Sequence, residues 1–158
     1  MMTMCPRCFE LYMQFWTKPR CACNEEPIRI SPELIYLVQL LLERELKVTS
    51  ALCRTVNDED SGGKITQINI EFGEHYPREL FPELPPEWSV YAFDLVKDHE
   101  VIKSNLTGLS CECVHPPGEC DEDNVFFDTM LTISNMETWL KDRLDPEACK
   151  AVLTFLRP

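Results

Sequence analysis

Eight residues of this chain have the types and spacing that hold metal ions, and they fall into two groups. Cys5-x-x-Cys8 and Cys21-x-Cys23 stand within the first 23 residues. Cys111, Cys113, His115 and Cys120 stand within ten residues of one another further along. Two thiolates three positions apart reach one tetrahedral ion when the backbone between them turns tightly, and Pro6 favours such a turn. The twelve residues from Phe9 to Arg20 suit a ribbon hairpin, with FELYMQFW as one of its strands. Cys21-Ala22-Cys23 is an unusual partner pair. In an extended segment its one-residue spacer puts both thiols on the same side, where both close a Cys₄ site or one is left spare. The first group reads as a structural zinc ribbon. The plainer alternative is four free, partly buried cysteines acting as small hydrophobes. A closed four-cysteine site leaves no position for water, so no catalysis is expected there.

In the second group Cys111, Cys113 and His115 alternate, so an extended backbone presents all three on one face. Pro116-Pro117-Gly118 then turns the chain and can return Cys120 towards them. That makes a Cys₃His set, and a third arrangement shares ligands between the two groups. An open catalytic zinc would need three protein ligands, a water and a carboxylate, for which Glu112, Glu119 and Asp121 are the nearest. Neither HExxH, nor a deaminase-type His-x-Glu with Pro-Cys-x-x-Cys, nor a phosphate-binding glycine loop, nor a nucleophile elbow occurs in the chain. Cys53, with His75 or His99 as conceivable bases, reads as a buried strand cysteine.

Charge narrows the partners. The formal net charge is −12 over 158 residues. Residues 1–23 carry Arg7, Lys18 and Arg20 against Glu10, whereas residues 48–140 carry five Lys/Arg against eighteen Asp/Glu. An acidic surface repels phosphate backbones, which disfavours direct nucleic-acid binding and favours a basic protein partner, a cation, or mere solubility. Arg7, Lys18 and Arg20 with Phe9, Tyr12, Phe15 and Trp16 leave a zinc-ribbon nucleic-acid binder as an alternative. No signal peptide is legible, and the longest apolar run, Leu34 to Leu42 broken by Gln39, is far short of the ~20 residues of a membrane span. A soluble, cytoplasmic protein is expected. Nine cysteines in such a chain point to metal rather than disulfides.

These residues must be positioned by the rest of the chain. Ser31-Pro32-Glu33 predicts a buried helix over 31–47. VTSALCRTV (48–56) and ITQINIEF (65–72) read as strands, the second with clean alternation. Residues 75–88 hold four prolines and cannot be regular throughout. WSVYAFDLV (88–96), VIKSNLTG (101–108) and VFFDTMLTI (125–133) are read as three more strands, with 109–124 as a cysteine-rich acidic excursion. Two short helices close the chain, one capped at Ser134 with Glu137, the other at Asp145 before Pro146. The expected class is α+β: an antiparallel sheet of about five strands packed by a buried helix and two C-terminal helices. Residues 1–27 form a zinc-ribbon-like module and 28–158 an acidic α+β domain.

The Cys-x-x-Cys start, the helix opening Ser-Pro-Glu-Leu-Ile and the strands VTSALC and ITQINIEF together resemble small proteins encoded by bacterial phages and prophages. The resemblance covers residues 5–72 loosely and extends to ISNMETWLKDRL; Cys21-x-Cys23 is tighter than the second pair of an ordinary ribbon. It implies a phage or mobile-element setting, in which small acidic proteins bind host machinery. The leading expectation is therefore a non-enzymatic, zinc-stabilised protein that modulates a basic nucleic-acid-handling complex such as a CRISPR effector. Its candidate contacts are Glu59, Asp60, Glu71, Glu74, Asp121, Glu122 and Asp123. A metal-dependent enzyme at Cys111, Cys113 and His115 is the principal rival.

Overall fold

The computed structural model describes residues 2–13 and 21–156. Lys18, Arg20, Phe15, Trp16 and the end of the expected FELYMQFW strand lie outside the described residues. Strands β1 (Met2–Met4), β2 (Leu11–Met13), β3 (Ile28–Ile30), β4 (Val48–Asn57), β5 (Lys64–Phe72), β6 (Trp88–Lys97) and β7 (Glu100–His115) are joined by helices α1 (Ile35–Glu43), α2 (Glu122–Arg143) and α3 (Pro146–Leu156). The strands form one sheet in the order β2-β1-β3-β4-β5-β7-β6.

The class is α+β, but the sheet corrects the expectation of about five antiparallel strands. Seven strands are present among the described residues, and β3 runs parallel to β4. A parallel neighbour requires a crossover, which α1 supplies between the two strands. The additional strands β1, β2 and β3 span three residues each, too short for an alternating pattern to stand out. β1 pairs with both β2 and β3, so the cysteine-bearing N-terminus is built onto the edge of the main sheet.

A second correction concerns residues 125–133, read as a strand and found inside α2. Thr129, Thr132, Ile133, Met136, Trp139 and Leu140 are buried at helical spacing, and that period overrides the β-branched and aromatic local composition. The helix begins at Asp121, whose carboxylate accepts the Asn124 amide. Ser134, expected as a cap, is therefore mid-helix. Asp145 does cap α3, accepting from the Ala148 amide. The expected helix over 31–47 is a 3₁₀ turn at Pro32–Leu34 followed by α1. Ser31 does not cap it by its side chain; its hydroxyl accepts the Cys53 amide at 2.9 Å and ties the turn to β4. At the far end Glu45, with φ of 62°, occupies the left-handed position that ends α1, while the Leu46 amide reaches Leu41 O and the Glu45 amide reaches Leu42 O.

One face of the sheet packs against the helices. Leu37, Val38 and Leu41 of α1 meet Ala51, Ile68, Ile70, Phe72 and Leu109 of the strands and Ile133, Met136 and Leu140 of α2, all fully buried. Each of these side chains larger than Ala51 contributes roughly 1.5–3 kcal/mol by leaving water. Buried Arg44 donates to the carbonyls of Leu40, Leu140 and Leu144, placing one cation at the negative ends of both α1 and α2. The proline-rich segment is held down by Trp139, whose indole donates to Pro82 O and Glu83 O, and by Phe81 stacked on Phe72.

The other face of the sheet carries polar groups. Gln67, Asn69 and Glu71 of β5 alternate outward as expected, beside Ser110 and Glu112 of β7. A shallow cleft of about 480 Å³ lies there between Gln67, Asn69, Ser89 and Ser110. Tyr91 lies across Gly108, so a side chain at that position would require the Tyr91 ring to shift.

Candidate metal centre and acidic end

The first cysteine group converges. Cys5 and Cys8 sit in the turn that follows β1, closed by the Phe9 amide on Cys5 O and the Cys5 amide on Glu10 O. Phe9 takes the left-handed position of that turn, with φ of 64°. Cys21 and Cys23 lie in a bend rather than a strand. The four Sγ atoms all lie within 4.8 Å of one another. In a tetrahedral zinc–thiolate site with Zn–S about 2.3 Å, sulfurs stand about 3.8 Å apart, so a small contraction around an ion would close the set. Four cysteines in this arrangement can hold a metal ion.

The thiols of this cluster differ in proton affinity. The Tyr12 hydroxyl and then the Cys23 backbone N–H stabilise the Cys21 thiolate and lower its pKa to about 7. Desolvation, then the neighbouring Cys8 and Cys5 thiols, push Cys23 up to about 12. Cys8 is raised as well: the Glu10 backbone N–H favours its thiolate, but desolvation and Cys5 outweigh it. Cys21 thus ionises near neutrality, whereas Cys8 and Cys23 hold their protons until a metal displaces them. From sequence Tyr12 is a candidate only among the aromatics of a nucleic-acid surface, whereas in the structure it serves the cysteine group. Its buried hydroxyl accepts the Cys21 amide at 2.8 Å and donates to Glu10 Oε2, tying the Cys21–Cys23 bend to the β1–β2 hairpin. No spacing rule would have found it, because the contact joins residues nine apart through an irregular segment.

The second group does not converge. Cys111, Cys113 and His115 alternate on β7 and share its inner face, as read from sequence. Strand geometry then sets them about 6.6 Å apart along the chain, too far for one ion without breaking the strand. Among the described residues, no metal-holding group includes them. Each has another partner. Cys111 is buried in the core opposite Trp88 and Ile68. Cys113 Sγ accepts from Thr132 of α2. His115 Nε2 bonds Thr66 Oγ1 at 2.8 Å, while its Nδ1 faces Asp128 Oδ2 at 3.5 Å. Burial pushes Cys111 up to about 12 and raises Cys113, so both are thiols at neutral pH. Cys120, half-exposed, follows the Pro116-Pro117-Gly118 turn and does not close a set with them. Sharing between the groups fails too: β1 and β7 stand four strand positions apart, about 19 Å at ordinary strand spacing. Cys53 is half-buried, its thiol raised to about 12 first by desolvation, as befits a strand cysteine.

The acidic residues are sorted by the register. Lys64 pairs with His115, which brings the β4–β5 hairpin tip (58–63) beside the segment after β7. The two are in close contact, since a Cβ on Gly63 would fall 2.1 Å from His115 O. Exposed Glu59 and Asp60 from the tip therefore share one end of the molecule with exposed Glu119, Asp121, Glu122 and Asp123. Asp58 is used locally, accepting from Ser61 Oγ and the Asp60 amide. Asp121 caps α2, and its bonds from the Asn124 side chain and backbone lower its pKa. Glu71 and Glu74 do not join this end. Glu71 lies on the open face opposite Gly108, and Glu74 follows β5 where its carbonyl accepts the Thr107 amide. The seven expected contacts are thus five at one end and two elsewhere, and Glu119 joins the five.

No family model matches the chain, and neither a curated protein nor a solved structure matches it. No helix of the described residues is long and apolar enough to cross a membrane.

Proposed function

We propose that this chain is a non-enzymatic binding protein, stapled at its N-terminal edge by one zinc ion, whose acidic end docks on a basic surface of a nucleic-acid-handling protein. The observation that carries this reading is the meeting of the 58–63 tip with His115, Pro116 and Pro117, which brings exposed Glu59 and Asp60 to the end of the molecule where exposed Glu119, Glu122 and Asp123 follow. Carboxylates fixed on a rigid end attract Lys/Arg surfaces that otherwise bind phosphate. Four thiolates in tetrahedral array suit zinc, and a site closed by four protein ligands serves folding. The resemblance to phage-encoded proteins points to a host complex as the target, with a CRISPR effector the foremost example. There the carboxylates would occupy a groove built for a nucleic-acid backbone and inhibit the complex.

The experiment is a binding titration against a purified RNA-guided nuclease, at low and high salt, with the wild type and a Glu59→Lys/Asp60→Lys/Glu122→Lys/Asp123→Lys variant. The account expects binding that weakens steeply with salt and is lost in the variant. Binding indifferent to both would overturn it.

A further inference from the structure

Helix α2 carries apolar side chains on two sides. One side is the buried stripe through Ile133, Met136 and Leu140. The other begins in the second turn, where Phe126 is 63%, Phe127 65% and Leu131 52% exposed. A helix that only covered a sheet would need a single apolar stripe. Side chains four apart line up as ridges along a helix, which here gives Glu122–Phe126–Met130 and Asp123–Phe127–Leu131. Each ridge starts on a carboxylate of the acidic end and passes, about 6 Å along the axis, to an exposed phenylalanine. Beyond Leu131 the exposed positions turn polar at Ser134 and Asn135. The apolar patch is thus bordered on its N-terminal side by the carboxylates described above.

Charge selects the occupant. A two-fold pairing of two copies sets the same patch against itself, which supplies two carboxylate borders and no Lys or Arg from residues 122–135 to meet them. A partner whose apolar side chains are flanked by Lys and Arg meets the same border favourably. We propose that Phe126 and Phe127 are the apolar anchor of the contact made by the acidic end, and that the partner presents an amphipathic basic surface. This rests on the reading of the acidic end as a binding surface. Exposed aromatics at the centre of a contact, with charged groups at its rim, are the arrangement in which a few side chains carry most of the affinity.

The test uses the full chain and three synthetic probes: a helical peptide of leucine and lysine, a serine–lysine peptide of equal charge, and a leucine–glutamate peptide. Affinities are measured by fluorescence anisotropy for the wild type and for Phe126→Ala/Phe127→Ala. Both residues are exposed, so circular dichroism and thermal unfolding should be unchanged in the variant. The expected result is that the leucine–lysine peptide binds the wild type about 10-fold tighter than the serine–lysine peptide and that the variant loses this margin alone. Equal binding of both lysine peptides, unaffected by the variant, would overturn the anchor and leave the acidic end standing. Failure of both lysine peptides to bind at low salt would remove the acidic end as a binding surface, and the anchor with it. Tighter binding of the leucine–glutamate peptide, or self-association of the wild type that the variant abolishes, would equally overturn the proposal.

Discussion

Two regions of this chain carry the same chemistry in different backbones, and the contrast shows what spacing can and cannot specify. Cys5, Cys8, Cys21 and Cys23 sit in a turn and a bend, where the chain reverses and the sulfurs fall within 4.8 Å of one another. Cys111, Cys113 and His115 sit on a straight strand, where alternation puts them on one face yet keeps them apart. Sharing a face is necessary for a metal site, but reversal of the backbone is what brings ligand atoms together. The thiols report part of this difference: in the first region Cys21 falls to about 7 although Cys23 beside it rises to about 12, whereas Cys111 in the core rises to about 12. One region is prepared to give up a proton to a metal, and the other is core.

The largest expected break in this contrast comes from Cys5→Ser. The binding free energy of a structural zinc, on the order of 10 kcal/mol, is spent on folding the segment that holds it. Loss of the ion should loosen β1 and β2 while the core around α1 and β5 persists, which hydrogen exchange resolved by segment would detect. His115→Ala should cost about 2–4 kcal/mol of stability through the cavity and the lost Thr66 bond, seen in denaturant unfolding, with no change in metal content. Tyr12→Phe should lower metal affinity by about 10–100-fold, the usual effect of losing a group that orients a ligand. A chelator competition assay measures it.

The smallest effect is in pH. Cys21 has its pKa lowered from 9.0 to about 7, so its contribution is present above 9 and is lost as pH falls through 7. Cys111 and Cys53 have theirs raised from 9.0 to about 12, so their contribution is present below 9 and is lost between 9 and 12. Metal binding to the apo-protein should therefore weaken on acidification, with proton release measurable by calorimetry in buffers of different ionisation heat. The contribution of Cys111 and Cys53 to stability should be lost only in alkali.

Much of this was legible in the sequence. The alternation of Ile68, Ile70 and Phe72 against Gln67, Asn69 and Glu71 reported the two faces of β5 correctly, because one face is buried and the other is not. The Cys-x-x-Cys turn was legible because its geometry is local. What was lost depends on contacts distant in sequence. The three-residue strands β1, β2 and β3 exist only by pairing with one another and with β4. VFFDTMLTI favours a strand locally, yet it is part of a 22-residue helix whose buried positions continue to Leu140. A longer window, with Asp121 as the cap, carried that signal. The gathering of Glu59 and Asp60 with Glu122 and Asp123 follows from the Lys64–His115 register, which no single segment encodes.

The most direct test of the contrast is native mass spectrometry of the intact chain loaded with zinc, alongside Cys8→Ser and Cys111→Ala. The account predicts one ion per chain in the wild type, one in Cys111→Ala and none in Cys8→Ser. Two ions in the wild type, or an ion that is kept in Cys8→Ser and lost in Cys111→Ala, would contradict it.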